Sequence, residues 1–225
     1  TMLGYEPDEI GDGFQEWQTR VHPEDLPGVL EQIHAHLVHK FTTYSVEFRM
    51  RCKDGSWKWI LSRGMITSRD EDGRALHIIG THTDISAWRS AQQRESGILR
   101  MIIEGRPLQE VLAEIVRGVE STLPGLAGCL MLLDEESGEL RVTQGASLPV
   151  FFRKGLEGMR PGPHEACSGR VMHFGTRMVT RSIADDPCWK PLRALAARAK
   201  LQSCWADPVR SGSGSLLGTL ACYRK

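Results

Sequence analysis

The residues best equipped for chemistry are six cysteines, Cys52, Cys129, Cys167, Cys188, Cys204 and Cys222. None forms a Cys-x-x-Cys pair, and none stands at the Cys/His spacing of a tetrahedral zinc site, so no metal centre is expected. What remains is nucleophilic or redox chemistry, which requires a thiolate. An even count permits disulfides, but a chain of 225 residues does not need such staples, and apolar residues flank Cys129 and Cys222. Reduced thiols in a cytoplasm are therefore expected. Haem would need an axial ligand, for which His34, His36 and His39, on or just after a helix, are the candidates. Histidines on a polar helix edge are usually solvated, and no Cys-x-x-Cys-His run offers covalent attachment. These residues name no cofactor.

The chain has room for two domains of about 100 residues, each able to bury a core. Lys plus Arg balance Asp plus Glu at 28 each, so no net field draws nucleic acid or an anionic membrane. No apolar run approaches the roughly 20 residues of a membrane span, and no basic-then-apolar leader opens the chain.

Two sets of elements would have to position these residues. In the first, His22-Pro23-Glu24-Asp25 reads as a helix start, with Pro in the first turn and two acids at the positive end of the dipole. Leu26, Val29, Leu30, Ile33 and Leu37 then give one apolar face. Tyr44, Val46, Phe48 and Met50 alternate with Ser45, Glu47, Arg49 and Arg51 as a half-buried strand. Asp54-Gly55 signals a tight primed turn. Strands over 57–67 and 76–83 follow, separated by the turn Asp70-Glu71-Asp72-Gly73.

Leu3-Gly4-Tyr5 with Glu9-Ile10, Val21-His22-Pro23-Glu24-Asp25, the run from Phe48 to Trp59, and Gly80-Thr81-His82-Thr83-Asp84-Ile85-Ser86 together resemble a PAS domain with its C-terminal motif over residues 1–86. The resemblance implies a sensory or dimerising module with a five-stranded sheet, in which Asp84-Ile85-Ser86 couples sheet to output helix. Asp84 would accept hydrogen bonds from Arg49 or Arg63, or simply cap the helix. Two opening strands of the family are lacking, so the strand over 76–83 would expose an apolar edge: either the module is cut short or a neighbouring chain covers it. The cysteine segment of photoactive flavin members is not present.

Residues 87–106 read as a connector helix. Ile85, Trp88, Leu99 and Ile102 fall near an a/d seam, with Gln92 and Glu95 at the intervening positions. A parallel coiled coil in a homodimer is one reading. The other packs Ile98, Leu99 and Ile102 on the second domain. Gly97 is a candidate bend.

From Pro107, the stripe Leu108, Val111, Leu112, Ile115, Val116, Val119 and Leu123 gives an amphipathic helix ended by Pro124-Gly125. Strands are expected over 128–134, 139–146, 177–183, 203–209 and 216–223, and helices over 148–156, 169–174 and 186–200. The layout is α+β throughout: two domains, each an antiparallel sheet flanked by helices.

Residues 107–225 resemble a GAF domain through Cys167-Ser168-Gly169-Arg170-Val171 with Gly175 and Val179, Ile183-Ala184-Asp185-Asp186-Pro187-Cys188-Trp189, Leu201 to Val209, and Leu217-Gly218-Thr219-Leu220-Ala221. The resemblance implies a pocket between sheet and helices for a small organic ligand, here lined by Cys167, Trp189, Cys204 and Trp205 with His164 at its mouth. Both tryptophans would serve equally as core filler. A bilin would need His beside the cysteine, and Cys167 is followed by Ser168.

PAS and GAF modules in tandem resemble the front end of a bacterial histidine kinase or a cyclic-dinucleotide enzyme such as a diguanylate cyclase or phosphodiesterase. The expectation is a sensory fragment, not itself an enzyme, that passes a small-molecule or redox signal along Asp84, Ile85, Ser86 and Trp88 to an output domain beyond it. The alternative is a thiol enzyme of the free methionine sulfoxide reductase type, with Cys167 attacking sulfur and Cys188 resolving. Against it, Cys204 and Trp205 stand where that family places an acid.

Overall fold

The computed structural model describes residues 2–11, 13–38, 43–72 and 75–225. His39 and Gly73 lie outside them. The chain divides into two units, Thr1–Gln93 and Arg94–Lys225.

In the first unit a short 3-10 turn at Pro7–Glu9 precedes α1 (Phe14–Arg20) and α2 (Leu26–Val38). The strands β1 (Thr43–Arg51), β2 (Trp57–Arg69) and β3 (Ala75–Asp84) form an antiparallel sheet in the order β1-β2-β3. Alternation on β1 turns Val46, Phe48 and Met50 inward, where they meet Val21, Val29 and Ile60. β2 and β3 are both longer than the sequence predicts. Glu24 and Asp25 do not enter the first turn of α2 as expected: residues 23–25 form a turn, and both carboxylates reach across to Arg49.

The hairpin between β1 and β2 also departs from a two-residue primed turn. Gly55 N–H closes on Cys52 C=O at 3.0 Å, and Gly55 has φ +85° while Asp54 stays at negative φ. A primed turn needs positive φ at both central residues for type I′, so this is the three-residue form with a glycine bulge.

Among the described residues β3 pairs with β2 alone. Leu76 and Ile79 are each 58% exposed, so this strand has the exposed apolar edge expected of it.

α3 (Ser86–Ile103) runs without a break through Gly97. It stops in a Schellman motif: Gly105 sits at φ +67°, with Gly105 N–H on Ile102 C=O at 3.1 Å and Arg106 N–H on Met101 C=O at 3.0 Å.

In the second unit α4 (Leu108–Glu120) precedes β4 (Leu126–Asp134), β5 (Glu139–Gln144), α5 (Val150–Leu156), α6 (Cys167–Phe174), β6 (Met178–Thr180), α7 (Arg193–Arg198), β7 (Ser203–Arg210) and β8 (Leu216–Arg224). The antiparallel sheet has the order β5-β4-β8-β7-β6. Gly128 on β4 faces Val116 of α4, while the opposite face carries Tyr223, whose ring meets Phe152 of α5 edge-on at 5.4 Å and Trp189 at 6.2 Å. Trp189 and Phe152 are fully buried.

The expected helix over 186–200 is broken into a 3-10 turn, Pro187–Trp189, and α7. Pro191 lies in the gap, where it can donate no backbone hydrogen bond. β6 is shorter than predicted, and α6 starts two residues earlier, which makes Cys167 its first residue. Among the described residues no helix is long and apolar enough to cross a membrane.

Candidate functional site

Two constellations stand out, one in each unit. The first is the junction where β3 becomes α3. The ladder between β2 and β3 reaches Ile60 and Asp84 and then continues irregularly: Ile85 N–H donates to Trp59 C=O at 2.9 Å, and Trp59 N–H donates to Ser86 Oγ at 2.9 Å. A side-chain hydroxyl thus takes the place of the next ladder carbonyl, which frees the Ser86 backbone to turn into a helix.

Asp84 caps that helix, its Oδ1 accepting Ser86 N–H at 2.9 Å, while Oδ2 pairs with Lys58 Nζ at 2.9 Å. Burial raises the Asp84 carboxyl, but Ser86 and the Lys58 ammonium outweigh it and hold the pKa below the usual range. One turn on, Arg89 Nε donates to Glu47 at 2.9 Å and its guanidinium lies 4.6 Å from the Trp59 ring centre. The first turns of α3 are therefore tied to β1 and β2 by hydrogen bonds, an ion pair and a cation–π contact.

The expected partners of Asp84 were wrong in identity. Arg49 instead donates from its backbone N–H, Nε and Nη2 to Asp25, and from Nη2 to Glu24. Lys58, Trp59, Glu47 and Arg89 were not singled out in the sequence, because the pairing of β1, β2 and β3 that gathers them at the junction is not a local property of the chain. Trp88 is 56% exposed and makes no part of the junction.

The second constellation surrounds Thr180, which pairs with Cys204 across β6 and β7. Thr180 Oγ1 donates to Asp186 Oδ2 at 2.7 Å and accepts from Trp189 Nε1 at 3.1 Å. It lies 3.3 Å from Cys167 Sγ, which is also 3.8 Å from Cys204 C=O. Arg170, one turn along α6, pairs with Asp186 at 3.3 Å. The result is a polar cluster inside an otherwise apolar core.

It divides the thiols electrically. Burial pushes Cys129 up to about 12 and Cys222 up to about 11. At Cys167 the hydrogen-bonded Cys204 side chain outweighs burial and, with Thr180 and Arg170, brings the thiol down to about 7. Cys204, pushed far up by burial and by Cys167, keeps its proton, so the pair holds one readily lost proton between them.

Of the expected pocket residues, Cys167, Trp189 and Cys204 come together, but as buried core. Trp205 follows Cys204 on β7 and so points to the α4 side of the sheet, in register with Cys222 and Val179. His164 is exposed and outside the cluster. Cys188 is half-buried, its backbone N–H on Asp186, and is not among the partners of Cys167. Thr180, Asp186 and Arg170 were missed; Asp186-Pro187 was visible as a helix-start signal, whereas nothing local marks Thr180.

Of the histidines, His34 is exposed, but His36 is buried against Tyr44 at 5.2 Å with neither ring nitrogen hydrogen-bonded, contrary to the solvated expectation. Burial, then Arg69, holds its pKa below the ordinary value. The first unit also carries a cleft of about 320 Å³ lined by Phe14, Trp17, Met50 and His82 among others, and an open groove of about 570 Å³ across the sheet at Ser45, Arg63, Met65 and Ile79.

A family model described as a PAS fold matches residues 1–82, and one described as a GAF domain matches residues 105–225. The methyl sulfide methyltransferase-associated sensor of Methanosarcina acetivorans is 29% identical over 224 residues, which are 98% of this chain and 22% of that protein's length. The chain thus spans 22% of that relative. A sensory box histidine kinase/response regulator from Burkholderia thailandensis is similar at 33% identity over 46% of this chain and 72% of its own, with a TM-score of 0.36. The GAF domain of a phosphoenolpyruvate-protein phosphotransferase from Coxiella burnetii reaches a TM-score of 0.50 at 19% identity, covering 61% of this chain and 77% of its own, which is a likeness of fold. Over residues 105–225 the chain belongs to the GAF domain family, and a PAS domain precedes it over residues 1–82.

Proposed function

We propose that this chain is the sensory and relay part of a longer cytoplasmic signal-transduction protein and performs no catalytic step of its own. In this reading α3 carries the signal towards an output domain, either a histidine kinase or a cyclic-dinucleotide enzyme. The observation that carries it is the junction: the helix that leaves the PAS sheet is fastened through Ser86 to Trp59 and through Arg89 to Glu47, so a change in the sheet must move the helix. A relative that is named a sensor and shares nearly the whole chain supports the role.

The partner is a second copy. Trp88, Gln92, Glu95, Leu99 and Ile102 recur at spacings of four and three, the a/d pattern of a coiled coil, and Trp88, Leu99 and Ile102 are each more than half exposed. Arg94, Ile98 and Met101 form a different, half-buried stripe, with Arg94 against Gly118 of α4. The seam is thus left for a second chain even though α3 rests partly on the second unit. Reduction of methionine sulfoxide is disfavoured because Cys167 is engaged with Thr180 and Cys204 rather than with Cys188.

The test is made in the full-length protein. Two residues inserted at Gln93 turn the helix by roughly 200°, whereas seven restore the seam after two turns. Output activity is expected to lose its response to stimulus with two and keep it with seven. Equal responses from both would refute the relay.

A further inference from the structure

The second unit buries two cysteines from different elements on one face of its sheet. Cys167 opens α6, and Cys204 lies on β7 in register with Thr180. The Cys167 sulfur lies over this strand pair, 3.3 Å from Thr180 Oγ1 and 3.8 Å from the Cys204 carbonyl. We propose that Cys167 and Cys204 are a reversible dithiol–disulfide pair oxidised by a hydroperoxide. This deepens the sensory reading by naming the stimulus, and it rests on that reading only for the consequence downstream.

Four features favour this pair over the other cysteines. Cys204 is the register partner of Thr180, whose hydroxyl the Cys167 sulfur meets, so both thiols lie on one face of the sheet and the bond can close without a change of strand register. The Thr180 proton is committed to Asp186, and Cys204, whose thiol lies 3.6 Å from Trp205 C=O, keeps its proton while that of Cys167 is the more readily lost. The first turn of α6 and the Arg170 guanidinium supply positive potential at the Cys167 sulfur. By contrast, Cys129 and Cys222 are held as thiols by burial.

The chemistry balances in two steps. The Cys167 thiolate attacks a peroxide oxygen; the O–O bond breaks, sulfur gives up two electrons, and the other oxygen leaves as alcohol, or as water from hydrogen peroxide, after taking a proton. The resulting sulfenic acid is attacked by Cys204 sulfur, the S–O bond breaks, and hydroxide leaves as water with the Cys204 proton. Two thiols and one hydroperoxide become a disulfide, an alcohol and a water. Both cysteines are about 1% exposed, so the oxidant must be small and the reaction slow, with bulky thiol reagents excluded. Closing the bond removes the Cys167 partner of Thr180, which is also bonded to Trp189 Nε1, and so couples oxidation to the core indole.

The experiment uses the whole reduced chain with hydrogen peroxide as probe, followed by unfolding, alkylation and peptide mass mapping. The expected result is a fall from six free thiols to four, one cross-linked peptide joining Cys167 to Cys204, and full recovery with dithiothreitol. The Cys204→Ser variant should instead leave Cys167 as a sulfenic acid that dimedone traps, and Cys188→Ser should behave as wild type. Six thiols surviving peroxide, or a cross-link through Cys188 or between chains, would overturn the pair. Mapping on the wild-type chain needs no variant to fold. It is also independent of output: a Cys167–Cys204 cross-link without any change in full-length activity sinks the relay and leaves the disulfide standing, whereas a responsive output without the cross-link does the reverse.

Discussion

Trp59 donates its backbone N–H to the hydroxyl of Ser86 across 2.9 Å, at the point where the β2–β3 ladder would otherwise need a carbonyl. The contact lets the strand end and the helix begin without an orphaned amide. It also explains why an Asp-x-Ser sequence suffices here: Asp84 caps the helix and Ser86 closes the sheet.

Replacing Ser86 with Ala leaves the half-buried Trp59 amide without its acceptor. The expected loss is about 1 kcal/mol, the net worth of one neutral hydrogen bond. Ser86→Thr should retain the bond. Hydrogen exchange at the Trp59 amide gives the sharper reading: it should accelerate in Ser86→Ala alone, and unchanged protection would mean the hydroxyl is incidental.

Acid should strip the first unit through Asp25. The Arg49 side chain, then its backbone N–H, outweigh burial and hold the Asp25 carboxyl below its ordinary value. A carboxyl depressed on folding contributes stability that is complete above its unfolded pKa of about 3.9 and lost as pH falls through the lower folded value. Urea midpoints of the wild type should therefore fall below about pH 4. Asp25→Asn should start lower and lose much of that slope; an identical slope in both would place the acid sensitivity elsewhere.

Thr180→Val keeps the shape of the cluster and removes its hub. The indole N–H of Trp189, fully buried, loses its acceptor, and Asp186 loses a donor. A cost of about 2–3 kcal/mol is expected, since unsatisfied buried groups carry their whole desolvation penalty. Chemical unfolding followed by tryptophan fluorescence would register both the lower midpoint and an altered native emission. A neutral substitution would show that the hydroxyl bonds are not maintained in solution.

Much of this organisation is legible in the sequence because periodicity is local. The alternation Val46, Phe48, Met50 and the stripe Val111 to Val116 each need only a short window to fix an element and its inner face. What escaped are relations set by register and by chain breaks. Whether Trp59 meets Ser86 depends on the register of β2 on β3, and whether Trp205 faces the thiols depends on one step of strand parity. The single helix expected over 186–200 fails at Pro191, which has no N–H to carry a helical ladder past it. The Thr180 cluster joins β6, α6, β7 and a 3-10 turn, a juxtaposition that only the folded chain supplies.

The connector offers a pair of glycine substitutions with opposite signs. Gly97 sits within α3, exposed, with nothing within 4 Å of an added Cβ, so Gly97→Ala should stabilise by about 1 kcal/mol through helix propensity. Gly105 sits at φ +67° and ends the same helix; its Cβ would also meet open space, so the cost of Gly105→Ala is purely that of the left-handed backbone, about 1–2 kcal/mol. Thermal unfolding of the whole chain should thus move up for the first and down for the second, although both replace glycine by alanine within nine residues of each other. Because neither side chain touches a neighbour, a difference in sign can come only from backbone conformation. Two shifts of the same sign would mean that α3 does not stop at Gly105 in solution, and the helical stop before α4 would have to be abandoned.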